Sequence, residues 1–293
     1  MNENNLGRKK SEFEFENLVR FFLIAFGWTW LYWSVFIFQI VTLPEGMGTP
    51  NVNLREALIF IPLVVFSPYG PTFAALILTY LNEGRKAARA LWRKTWDTNI
   101  PREWLLITVL FQPAVLLVYR VLSDIGGVSQ PQPQWLSNPL MVLIPFIASL
   151  INGGLSEEIG WRGYALPRLQ AKYSAFWSSV ILGFLEGLWH VPLVFWVGDA
   201  RYGMSIPLLI FWQMLSTFNR TWIFNNTGGS IFAAVLFHAI GNTAPWVVPF
   251  NLFVVSWLPR TRFVSPFLLI VNIVLLVVLL VVYGTEDMIR KKH

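Results

Sequence analysis

Cysteine is absent from all 293 residues, which excludes disulfides, a thiolate nucleophile and cysteine metal ligands. Charge is scarce: Asp, Glu, Lys and Arg together make up 13% of the chain, against about a quarter in a soluble domain. The four aspartates, Asp97, Asp124, Asp199 and Asp287, fall in segments read as loops or tails, so an intramembrane aspartate pair is excluded. Neither HExxH nor GxSxG occurs, which removes the helical zinc-protease and serine-hydrolase signatures. Short alternating segments are missing too, which argues against a membrane β-barrel.

What fills the chain instead is apolar. Hydrophobic residues make up 55%, with 15 Trp and 24 Phe. Apolar runs of about 20 residues recur, the length that crosses a bilayer as a helix. The expected fold class is therefore all-α: a polytopic transmembrane helical bundle. The polar start (MNENNLGRKKSEFEFE) and a long first apolar run argue against a cleavable signal peptide. The net charge of +6 reads as membrane topology, not as nucleic-acid binding.

About eight spans are expected, near 20–42, 57–81, 104–122, 139–166, 175–197, 205–224, 230–249 and 266–283. Helix-start signals support several of them: NLRE at 53–56 resembles a capping box, and SNP (137–139) and SP (265–266) place a capping residue before proline. SPYGP at 67–71 reads as a kink within the second span. An even count puts both termini on one side. With that side cytoplasmic, it carries 17 Lys and Arg against 5 opposite, as the positive-inside rule asks. The expected location is the cell membrane, multi-pass, with membrane lipids as partners. The basic loop EGRKAARALWRKTW (83–96) reads as a short interfacial helix on anionic headgroups or as an ordinary cytoplasmic loop. No linker or second domain is visible, so 1–293 reads as a single integral membrane domain with a polar tail at 1–17.

Of the acidic and histidine side chains, only Glu157, Glu158, Glu186, His190 and His238 lie within the expected spans. His293 is the last residue and reads as a solvated tail. Ionisable groups in a bilayer cost on the order of 3 kcal/mol each, so they normally face one another or a wet cavity. At about 1.5 Å per residue, Glu157, His238 and His190 lie roughly 15, 12 and 21 Å from the same face, and Asn242 roughly 18 Å. Three separate helices thus carry polar groups to similar depth. Glu158 and Arg162 are spaced i,i+4 and should pair, while Glu157 points about 100° away. His238 and Asn242, and likewise Glu186 and His190, are also i,i+4. Taken singly, each group has a structural explanation, as an ion pair, a core histidine or helix-packing polar contact.

Together they suit two kinds of hydrolysis. A carboxylate beside an imidazole can draw a proton from water, and an imidazole with an amide can donate to an oxyanion. The same Glu157, His190 and His238 are also normal ligands for a divalent metal such as Zn2+. A third use of the groups is proton relay in a coupled transporter, which predicts broken helices in two related halves. Such halves are not visible here.

At these residues the chain resembles the CAAX prenyl protease type II and lysostaphin-resistance-protein-A-like (CPBP or Abi) family of intramembrane proteases. The family's EExxxR motif stands as EEIGWR (157–162), running on into WRGYALPRLQ. Its second histidine motif stands as EGLWH (186–190), and its HxxxN motif as HAIGN (238–242) behind NNTGGS. The likeness runs from about 67 to 245. It implies an intramembrane endopeptidase in which Glu157 activates water with His190, His238 and Asn242 steady the oxyanion, and Glu158 and Arg162 orient Glu157. Its implied substrate is a membrane-anchored or lipid-modified protein tail, or a hydrophobic peptide. A non-catalytic immunity or scaffold role is the family's other use. The departure is Glu186, which stands where the family usually has an aromatic, either as a further cavity carboxylate or as a partner of His190.

Overall fold

The computed structural model describes residues 3–38, 62–197, 199–251 and 266–290. Among the described residues every regular element is helical. In chain order the helices are α1 (Glu3–Ile37), α2 (Pro62–Glu83), α3 (Arg85–Lys94), α4 (Arg102–Ile125) and α5 (Leu140–Gln170). They continue as α6 (Ala175–His190), α7 (Ile206–Asn226), α8 (Ile231–Val247) and α9 (Pro266–Tyr283). By length and composition five can cross a membrane: α1, α2, α4, α5, and α6 with its 3-10 extension to Phe195. Helices α8 and α9 are apolar but shorter. Helix α7 is less apolar because Gln213, Thr217, Asn219 and Arg220 turn into the protein. The chain is a polytopic helical membrane bundle, and α3 is its one short, strongly basic helix among the described residues.

Several boundaries differ from the sequence expectation. Helix α1 begins at Glu3, so residues 3–17 of the polar tail continue the first span as helix. Helix α5 runs on to Gln170, well past 166. The SPYGP stretch forms a 3-10 turn at Ser67–Tyr69 inside α2. The Asn138 side chain accepts the Leu140 N–H at 3.2 Å, which starts α5. The NLRE signal at 53–56, Ser265 and His293 lie outside the described residues.

Large apolar side chains such as Leu23, Leu31, Leu81, Leu106, Ile144 and Val281 are exposed on the outer faces. A soluble monomer does not tolerate so much apolar surface, but lipid tails cover it without penalty. Inside, helices meet through small residues. Helices α6 and α7 run against each other along Gly183 and Gly187, where an added Cβ would lie 2.7 Å from the Met214 and Ile210 Cα atoms. This small-xxx-small spacing lets the two backbones touch. Helix α1 packs on α2 and links to α6: the Trp30 indole donates to the Trp189 carbonyl at 2.9 Å. Helix α8 sits between α4 and α5.

Polar ties gather at one end of the bundle. Arg168 bridges Glu14 at 3.1 Å and Glu83 at 2.8 Å, joining α5 to α1 and α2. The segment after α9 folds back, where the Phe176 N–H donates to the Thr285 carbonyl at 3.0 Å and Asn226 to the Met288 carbonyl at 2.7 Å. The two described chain ends therefore share that end of the bundle.

Gly187→Val is expected to destabilise the fold by about 1–3 kcal/mol, because overpacking at a backbone contact forces the helices apart. Gly27→Ala, inside α1 with nothing within 4 Å of the added carbon, should instead stabilise by up to about 1 kcal/mol, as Ala is the better helix former. Thermal unfolding of the detergent-solubilised protein checks both.

Candidate active site

The site grows from the middle of α5, which is not uniformly α-helical. Leu150–Leu155 and Trp161–Ala165 are wound as π-helix, and the α-turn Ser156–Gly160 carrying both glutamates lies between them. π-turns are rare and cluster at functional sites. Glycines make room for them. A Cβ on Gly154 would meet the Val235 side chain at 2.9 Å, and one on Gly153 would meet Asn242 Nδ2 at 2.9 Å and His238 Nε2 at 3.0 Å. Helices α5 and α8 thus touch exactly where their polar residues lie.

Glu157 and Glu158 diverge as adjacent helix residues must. Glu158 is fully buried and points into a charge cluster. Its Oε2 lies 3.1 Å from Arg162 Nη1, and its Oε1 accepts a 2.6 Å hydrogen bond from His238 Nδ1. Arg220 Nε on α7 stands 3.7 Å from the same Oε1. Glu186 completes the cluster from α6: its Oε1 is 2.5 Å from Arg162 Nη1, and its Oε2 accepts from Arg220 Nη1 at 3.1 Å and the Thr217 hydroxyl at 3.0 Å. Two arginines face two glutamates, all buried. Such groups pay several kcal/mol each for desolvation, recovered only when every charge is matched.

Glu157 faces the other way. It lines a cavity of about 460 Å³ together with His190, His238, Asn242, Asn152 and Arg220. Glu157 Oε2 accepts the Trp161 indole N–H at 3.3 Å, and Oε1 stands 4.0 Å from His238 Nε2. His238 donates its Nδ1–H to the Glu158 carboxylate, so in the neutral ring Nε2 presents a lone pair to the cavity. His190 is held from another helix. Its Nδ1 stands 2.8 Å from the Glu186 backbone carbonyl oxygen and 2.8 Å from the Gln213 amide nitrogen, so protonated it donates to the carbonyl and unprotonated it accepts from the amide. The same amide nitrogen is 3.4 Å from Nε2. Asn242 lies one turn beyond His238 on α8 and is exposed to the cavity.

Glu157, His190, His238 and Asn242 therefore share one cavity, while Glu158, Arg162 and Glu186 form the buried cluster behind it. Neither reading of Glu186 as a cavity carboxylate or as a side-chain partner of His190 describes its position. The carboxylate turns to the arginines, and His190 is bonded by the backbone carbonyl of residue 186. Arg162 and Arg220, counted by charge as cytoplasmic-side residues, are instead buried inside the bundle. The sequence did carry a signal for Arg220: it follows Asn219 within a helical run, and an intramembrane Glu186 demands a counter-charge.

The three candidate metal ligands do not fit a metal site. A catalytic zinc takes three protein ligands at about 2.0–2.2 Å, which sets neighbouring ligand atoms about 3.4 Å apart. Among the described residues no group of three His, Asp or Glu side chains gathers in that way, and the Glu157–His238 gap is wider, at 4.0 Å.

Known proteins share the segment that bears this geometry. Residues 139–244 match the family model described as Type II CAAX prenyl endopeptidase Rce1-like. CAAX prenyl protease 2 of Methanococcus maripaludis is 32% identical over 146 residues, 46% of this chain and 53% of the relative. The chain thus spans about half the length of the curated relative it matches. The chain is similar to this family over the helices that carry the three motifs.

Arg162→Leu leaves two buried carboxylates sharing one arginine. It is expected to cost about 3–5 kcal/mol, and Asn242→Ala, at a cavity-exposed position, less than about 1 kcal/mol. Chemical or thermal unfolding in matched detergent distinguishes the two.

Proposed function

We propose that this chain, similar over α5 to α8 to type II CAAX prenyl endopeptidases, is an intramembrane endopeptidase. Its substrate in this reading is a membrane-associated or lipid-modified protein cut near its C-terminus, or a hydrophobic peptide. The observation that carries the proposal is the 4.0 Å gap between Glu157 Oε1 and His238 Nε2. One oxygen atom with two hydrogen bonds of about 2.8 Å at a near-tetrahedral angle spans about 4–4.6 Å. The gap is the size of one water.

In the mechanism that follows, Glu157 takes a proton from that water as its oxygen attacks the scissile carbonyl carbon. His238, kept in the right tautomer by Glu158, holds the water's second hydrogen through Nε2. Asn242, next to His238, donates its amide N–H to the developing oxyanion. As the C–N bond breaks, the proton on Glu157 passes to the leaving nitrogen. His190 Nε2, also facing the cavity, accepts a backbone N–H of the substrate and sets its register. Compared with the roles implied by family resemblance, the water's imidazole partner becomes His238 and not His190, because His238 is the ring within 4.0 Å of Glu157. Arg162 orients the machinery through Glu158.

Residues 1–293 act as one integral domain in this proposal, in the cell membrane with both termini cytoplasmic. Withdrawing the buried Arg162 and Arg220 from the charge balance leaves 15 Lys and Arg against 5, so the asymmetry survives.

Glu157→Gln should lower kcat on a membrane-anchored peptide by about 10²–10⁴-fold, and Asn242→Ala by about 10²–10³-fold. Equal turnover by wild type and Glu157→Gln would remove the proposal. A double-mutant cycle assigns the imidazoles: Glu157→Gln with His238→Ala should be strongly non-additive, and Glu157→Gln with His190→Ala closer to additive. Because the ligand set does not fit zinc, turnover should persist in the presence of a strong chelator. Loss on chelation with recovery on zinc add-back would contradict the water-only mechanism.

A further inference from the structure

Helix α7 brings a cation, Arg220, to the wall of the same cavity that Glu157 lines. A guanidinium beside the carboxylate that accepts the proton would occupy its oxygens and stabilise its charged form, weakening it as a base. The described geometry avoids this. Arg220 Nη1 is turned to Glu186 Oε2 at 3.1 Å, and Thr217 fixes that oxygen from the same helix at 3.0 Å. The other Glu186 oxygen takes Arg162 at 2.5 Å. Glu158 also lies near both arginines, 3.1 Å from Arg162 Nη1 and 3.7 Å from Arg220 Nε. Its Oε1 is shared with the His238 Nδ1–H, however, and the closer carboxylate for Arg220 is Glu186 at 3.1 Å. Among the described residues Glu157 has the Trp161 N–H and His238 as its polar neighbours, and no arginine within ion-pair distance.

From this arrangement we infer that Glu186 is a positioning residue, one that holds Arg220 away from Glu157 and so keeps the Glu157 carboxylate free to take a proton. Without its charge, the cluster has two buried arginines for one carboxylate, and Glu157 is the carboxylate that shares a cavity with Arg220. Arg220 then swings to Glu157. The inference rests on the peptidase reading for its assay, but it makes a separate claim about charge balance.

The test uses the full-length protein in bilayer nanodiscs, with a membrane-anchored peptide as substrate. Glu186→Gln keeps the side chain's size and removes its charge; kcat is expected to fall at least tenfold with KM within about twofold. Adding Arg220→Gln to that variant removes the stray cation, and kcat should return to within about threefold of wild type. Glu186→Asp, which keeps the charge, should retain most of the turnover. A purely structural Glu186 would lower folded yield and Tm, which Arg220→Gln would also restore, but would leave kcat per folded Glu186→Gln molecule at the wild-type value. Wild-type kcat in Glu186→Gln, or no recovery in a folded double variant, overturns the inference. If Glu186→Gln yields too little folded protein, the double variant and Glu186→Asp decide, since both must cleave. A wild-type protein that cleaves nothing instead sinks the peptidase reading, so the two failures are told apart.

Discussion

Four buried charges hold this bundle and its cavity together. Arg162 and Glu158 come from α5, Glu186 from α6 and Arg220 from α7, and α8 joins through the imidazole of His238. Each charge pays a desolvation cost that its partners must match, so displacing any one helix exposes an unpaired ion to a low-dielectric interior. Such a cluster is no efficient source of stability compared with apolar packing. Its effect is to allow one relative placement of four helices, and that placement sets which nitrogen of His238 faces the cavity.

Close backbone approach makes the cluster reachable. Arginine and glutamate on neighbouring helices pair at 2.5–3.1 Å only if the helices are near and correctly rotated. Gly183 and Gly187 bring α6 onto α7, and Gly153 and Gly154 bring α5 onto α8. The π-turns on either side of Ser156–Gly160 then set the rotation of the two glutamates. One is directed to the cations and the other to the cavity, and that division follows from the rotation.

Much of the architecture was legible in the chain. Apolar runs gave away the helices because lipid permits only helices and closed barrels, and runs of about 20 residues without alternation fit the helix alone. Spacing gave the Glu158–Arg162 pairing, because i,i+4 neighbours meet whatever the tertiary fold. Pairings across helices were less readable. Arg220, near the end of the expected span 205–224, counts by position as a cytoplasmic-side cation because its partners lie 34 and 62 positions away on other helices. Glu186 looked like a neighbour of His190 by the same i,i+4 logic, yet its carboxylate found stronger partners. The bond to His190 comes from the backbone carbonyl, an atom that every residue type would supply.

From the amino-acid order alone came the helical class, the approximate spans and the short list of costly polar groups, because those depend on local hydropathy and on periodicity along one helix. The tertiary structure decided which imidazole stands 4.0 Å from Glu157, which carboxylates enter ion pairs, and where Arg220 is held. Those outcomes depend on rotations and distances between helices far apart in the chain. Small changes in either exchange one partner for another, and only the packed bundle specifies them.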